Sequence, residues 1–217
     1  MALTSTQVLA HPGGQDKNGG HFNRSTGEYH CHAERCSKAR AQVEAATKEA
    51  DRDGRAYSKV YNRKDWPHWS DHDGDCMNTR HEILAASSVA KPRLSPDGCY
   101  VSSGRWNDPY SGKVYTRASD LDIDHVVPLA YAHARGGASW SRAEKEQFAN
   151  DPENLLAVDD GLNQGKGAKG PTEWMPPNNQ YRCQYIAHFR RVIDKYSLEM
   201  WAKEKRVFNK QLAACGL

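Results

Sequence analysis

The chain has 217 residues, 38% hydrophobic and 26% charged, enough apolar material for one packed domain with a smaller appendage. No apolar run approaches the roughly 20 residues of a bilayer-spanning helix, so a membrane partner is not expected. The net charge of +3 permits a polyanionic partner without demanding one.

Six cysteines, Cys31, Cys36, Cys76, Cys99, Cys183 and Cys215, form no CxxC pair, which argues against a thiolate zinc cluster or a redox dithiol. An even number spread along the chain suits three disulfides in an oxidising compartment, so the protein is expected to be secreted or periplasmic. The favoured pairs are Cys76–Cys99, Cys183–Cys215 and a local Cys31–Cys36. The opening MALTSTQVLA has neither a basic start nor a long apolar stretch, so export rests on the cysteines alone.

In chain order, residues 11–32 (HPGGQDKNGGHFNRSTGEYHCH) are too rich in Gly, His and turn formers to build a core. Residues 34–52 lack Pro and Gly and carry a thin apolar face at Val43, Ala46 and Ala50, predicting a short helix that Gly54 stops. From Tyr57 to Cys76, aromatic residues (Tyr57, Tyr61, Trp66, Trp69) alternate with charge, which reads as an irregular segment pinned to the main domain. Asn78 or Thr79 caps a helix carrying Ile83, Leu84 and Val89 and ending before Pro92. Cys99–Trp106 and Lys113–Thr116 read as two strands joined by the Asn107–Gly112 turn. Leu121–Leu129 begins as a strand and runs into a Pro-bearing loop, and Ser141 with Glu144 makes a capping box for a helix reaching Phe148. Tyr181, Tyr185, Phe189, Val192 and Tyr196 mark a helical face, and Ser197 starts a last helix with Leu198, Trp201, Val207 and Leu212. The plan is therefore 1–32 as a His-rich module, 33–56 as a helical linker and 57–217 as the main domain.

Three pieces carry chemistry: Asp124-His125, Pro152-Glu153-Asn154, and Asn163-Gln164-Gly165-Lys166. Histidine is the natural base for activating water, because an ordinary pKa near 6.5 leaves it largely neutral at pH 7. Asp124 and the Asn163 carbonyl are hard oxygens suited to Mg²⁺. Asn154 can accept the other ring N–H of His125 and fix its tautomer. Adjacent side chains on a strand point to opposite faces, so Asp124 and His125 need a bend to converge, and Pro128 with the loop after it is where one is expected.

The run DIDHVVPL … PENLLAV … LNQGKG resembles the HNH nucleases, specifically secreted bacterial HNH endonucleases, in which the core follows segments similar to DGDCMNTRHEIL and CYVSSGRWNDPYSG. The resemblance spans about residues 57–215. It implies an α+β fold with a ββα-metal (HNH, or His-Me finger) core, a β-hairpin, surrounding helices and stabilising disulfides. It also implies an endonuclease hydrolysing phosphodiester bonds in DNA, with RNA as a second substrate, at low sequence specificity and with no obligate protein partner. His125 would be the base, Asn154 would orient it, and Asp124 with Asn163 would hold one Mg²⁺ or Mn²⁺ ion. Asn163 stands where the simplest HNH pattern has a histidine, which suits Mg²⁺ better than a transition metal. Arg80 and Glu82 match the TR-x-E of the same branch, Arg80 to bind the scissile phosphate and Glu82 to orient it or complete the metal shell. Lys166 is expected to contact phosphate, and His133 to lie on the solvated surface.

Two further clusters bear on metals. Asp71, Asp73, Asp75 and Glu82 fall on EF-hand ligand positions, but Cys76 replaces the required glycine, so calcium is not expected there. His11, Asp16, His21, His30 and His32 resemble a YHYH-type module and are a candidate Zn²⁺ site with a supporting role. The same cluster raises a rival function, a zinc-dependent cell-wall peptidase with HxxxD and HxH ligands, although the first spacing is one residue too long. A second rival is a non-catalytic nucleic-acid binder on a nuclease scaffold.

Overall fold

The computed structural model describes residues 61–217 and, as backbone only, two short strands before them. The chain divides into two compact units, residues 1–55 and 56–217. In the first unit, β1 (Gly20–Phe22) pairs antiparallel with β2 (Tyr29–Cys31), setting His21 opposite His30. The remaining members of the His cluster, the predicted 34–52 helix and the Cys31–Cys36 bridge lie outside the described residues.

The second unit mixes helices with two small antiparallel sheets. Helix α1 (Thr79–Ser87) is capped by Asn78, whose side chain accepts the His81 N–H, and it ends before Val89 because that N–H turns to Arg105 O at 2.8 Å. Strands β3 (Arg93–Leu94), β4 (Val101–Asn107) and β5 (Val114–Arg117) form the first sheet, close to the predicted hairpin. Strands β6 (Leu121–His125) and β7 (Leu155–Asp159) form the second, with Leu121 opposite Asp159 and His125 opposite Leu155. Between them lie α2 (Leu129–His133) and α3 (Arg142–Asn150), the latter opened by the Ser141–Glu144 capping box. Helix α4 (Asp160–Lys166) follows β7 directly. Asp159 caps it by accepting the Leu162 N–H, and Gly167 ends it at a positive φ of 55° that favours glycine.

Helices α5 (Arg182–Lys195) and α6 (Ala202–Ala214) close the unit. The α5 stripe Tyr185, Ile186, Phe189, Val192 and Ile193 is buried in a core with Trp66, Tyr110, Val126, Tyr131 and Phe148. Leu121, Ile123, Leu155 and Ala157 of the β6–β7 ladder pack into a second core with Leu84, Val101 and Trp106. Two disulfides form as expected, Cys76–Cys99 and Cys183–Cys215. The last helix starts later than predicted: Ser197 sits at a positive φ of 50° and the Leu198 N–H folds back to Ile193 O, so helix resumes only at Ala202. No helix among the described residues is long and apolar enough to cross a membrane.

Candidate active site

β6 stays paired to its last residue, His125, and the chain then enters a buried turn through Val126 and Val127. Asn154 at the foot of β7 holds that turn. Its carbonyl accepts the Val126 N–H (2.8 Å), its side-chain oxygen accepts the Val127 N–H (2.8 Å), and its amide donates to Val127 O (3.2 Å). Asn154 therefore positions the backbone after His125 rather than the imidazole. A fully buried amide needs both a donor and an acceptor partner, and the main chain of one residue, Val127, supplies both.

The ring is instead fixed by a main-chain group, with His125 Nε2 2.8 Å from the Ala149 carbonyl at the end of α3. A carbonyl only accepts, so Nε2 carries the proton and Nδ1 keeps the lone pair. Burial lowers the imidazole pKa to about 3, against the opposing Ala149 contact and with smaller contributions from Arg63, Lys166 and His68. The ring is thus neutral at physiological pH. Trp69 lies beside it, centroids 5.6 Å apart and planes 30° from parallel.

Asp124 faces different neighbours. Its Oδ1 accepts from the Lys166 ammonium at 2.8 Å and its Oδ2 from the Tyr110 hydroxyl at 2.6 Å. The ammonium also donates to His125 O (2.8 Å). Lys166 is 0% exposed and Asp124 4%, so this lysine is turned inward and is not placed to meet a phosphate. Burial pushes the Asp124 carboxyl up and the Lys166 amine down, while each charge offsets the other's shift. Burial and Asp124 together push the Tyr110 phenol well up, so it remains a donor.

Asn163 donates through Nδ2 to Asp122 Oδ2 at 3.2 Å, not to Asp124. Arg80 binds the same carboxylate (3.3 Å) and Leu121 O (2.7 Å), so its guanidinium is engaged by β6. Glu82 belongs electrostatically to the exposed loop of Asp71, Asp73 and Asp75: burial and those three carboxylates push its carboxyl up. Within that loop the three carboxylates converge to within 4.8 Å, and they accept backbone N–H groups of Gly74, Asp75, Cys76 and Met77. His133, expected at the surface, is buried against Tyr61 and Trp66. No hydrogen bond joins the side chains of Asp124, His125, Asn154 and Asn163 to one another among the described residues: β6 sends Asp124 towards α4 and His125 towards α3. Tyr110, Trp69, Asp122 and the Ala149 carbonyl were missed from sequence. Tyr110 and Trp69 showed there only as aromatic residues in loops, and a carbonyl has no side-chain signature at all.

A divalent ion here would meet hard oxygens only, from Asp122, Asp124 and Asn163, the donor chemistry of Mg²⁺. The face of β6 carrying both aspartates already draws in two cations, Arg80 and Lys166. The donor chemistry suits such an ion, while in this structure both Asp124 oxygens are engaged, by the Lys166 ammonium and the Tyr110 hydroxyl.

A two-stranded ladder running into a helix, with a buried neutral histidine beside a paired aspartate, stands within a stretch that matches a nuclease family. The model for the C-terminal domain of GmrSD restriction endonucleases matches residues 79–211, and the chain belongs to that family. An "uncharacterized secreted protein" of the fungus Arthroderma benhamiae is 41% identical over 158 residues, covering 71% of this chain and 76% of the fungal one. The resemblance read from sequence was to bacterial proteins; this relative is fungal. No solved structure matches the chain.

Proposed function

We propose that this chain is a secreted endonuclease of the HNH type that hydrolyses phosphodiester bonds of DNA, with RNA as a second substrate, using His125 as general base. The observation that carries the reading is the Nε2–Ala149 hydrogen bond: it fixes one tautomer and leaves Nδ1 to take a proton from water. Burial keeps that nitrogen unprotonated, and the negative charge of an arriving phosphodiester favours its protonation as water is attacked. Asn154 holds the turn that follows the base, and the Tyr110–Asp124–Lys166 network holds the strand that carries it. Asp124 and Asn163 would hold a divalent ion, Mg²⁺ or Mn²⁺, which when bound supplies charge stabilisation to the phosphoryl oxygens and the departing oxygen. Family membership supports the nuclease class, and the secreted fungal relative together with two disulfides supports export.

The test is plasmid nicking by wild type and His125→Ala, in EDTA and after adding back Mg²⁺, Mn²⁺ or Zn²⁺. Wild type should nick after add-back, and the variant should stay folded, melting somewhat lower because the Ala149 carbonyl loses its donor, while losing cleavage. Cleavage by His125→Ala at the wild-type rate overturns the assignment, and digestion of wall peptides in place of DNA favours the zinc peptidase.

A further inference from the structure

We infer that Trp69 is a positioning residue for His125, an aromatic wall that fixes the plane of the imidazole; this rests on the reading of His125 as the base. The carbonyl of Ala149 restrains the ring at one atom only, and a ring held at one nitrogen can still swing about that bond. Trp69 supplies the second restraint. Its indole lies 5.6 Å from the imidazole at 30°, and His68 packs against the indole in a T-shaped contact, again at 5.6 Å. His68 is itself held by a 2.9 Å hydrogen bond from Nδ1 to Trp66 O, so the bracing ring is fixed as well.

The backbone shows that this placement is imposed. Trp69 adopts a φ of +60°, a region that side-chain-bearing residues avoid and that persists only where surrounding contacts over-determine it. Those contacts converge on the next residue. The Ser70 N–H donates to Asn150 Oδ1 (3.0 Å), its hydroxyl to Glu146 (2.7 Å), and its carbonyl accepts from both the N–H and the hydroxyl of Thr79 (2.9 and 2.8 Å). Asn150 also donates to Pro67 O at 3.0 Å. Asn150 and Glu146 belong to α3, the helix that ends beside the Ala149 carbonyl. One element therefore fixes both restraints on the base, the acceptor for Nε2 and the segment carrying the indole. Glycine would suit this φ better than tryptophan, and the chain keeps tryptophan where the ring meets His125.

The test uses the full chain with Trp69→Gly, which suits the local backbone while removing the ring, and Trp69→Phe, which restores an aromatic face. Circular dichroism and melting curves establish that both fold. For nicking of a fixed DNA substrate, Trp69→Gly should lower kcat about tenfold or more with KM nearly unchanged, and Trp69→Phe should recover most of the loss. The His125 ring resonances in NMR should move on loss of the indole, a readout independent of cleavage. Wild-type kcat in Trp69→Gly, a loss confined to KM, a loss that phenylalanine does not restore, or unmoved His125 resonances would each overturn the inference. A wild-type protein that cuts no nucleic acid under any ion would instead overturn the nuclease reading, and the NMR comparison would still decide the contact.

Discussion

Replacing Lys166 with methionine probes the pair at the centre of the unit. The ammonium is fully buried and holds both Asp124 Oδ1 and His125 O at 2.8 Å. Methionine keeps most of the volume but leaves a buried carboxylate with the Tyr110 hydroxyl as its remaining hydrogen-bond donor. Breaking a buried pair from one side costs about 3–5 kcal/mol. At about 2–4 °C per kcal/mol for a chain of this size, Lys166→Met should melt about 6–20 °C below wild type. Without the ammonium, the Asp124 pKa rises further above its unfolded value. The folded state then favours the protonated acid, so the deficit is full above the folded pKa and shrinks as pH falls through it towards the ordinary, unfolded carboxylate value. The double variant Asp124→Leu/Lys166→Met, which removes both charges, should recover much of the loss. Thermal melts of the three proteins across pH decide the matter, and a Lys166→Met melt within about 1 °C of wild type at pH 7 would refute the reasoning.

Asn154→Ala strands the Val127 N–H and carbonyl in the interior, at roughly 1–3 kcal/mol for each group; melting temperature and nicking rate should fall together. Reduction of the disulfides, which close sequence separations of 23 and 32, should cost roughly 3.5 kcal/mol each by loop entropy, read as a shift in the urea midpoint with and without reductant. Because the folded His125 pKa is lowered to about 3, the folded state resists a proton that the unfolded chain accepts near 6.5. Its contribution is intact above 6.5 and is lost as pH falls from there towards 3, so His125→Gln should flatten the acid limb of stability against pH.

What could be read in advance was local. The Ser141–Glu144 box needs two residues three apart, and both behave as their chemistry dictates. The β4–β5 hairpin and β6 follow from alternation and turn residues, and α5 from its aromatic stripe. The misses lie where tertiary contact overrides local preference. Val89 continues a helical pattern but is drawn to β4, and Ser197 leads a helical run but serves as the corner that buries Leu198. In the site, His125 and Asp124 stood out by residue type, yet their partners did not. Lysine is seldom fully buried, so only the fold reveals that α4 carries Lys166 onto Asp124. Nothing in the sequence distinguishes the Ala149 carbonyl from any other, and Asn154 could not be assigned to a ring or to a peptide before its neighbours were in place.

The Asp124–Lys166 pair also bears on how such a protein is made. A carboxylate that depended on an external ion for neutrality would leave the newly made chain incomplete until that ion arrived. Here the counter-charge is part of the polypeptide and comes into place with α4, so the Asp124 carboxylate is neutralised as this unit folds without waiting for an ion.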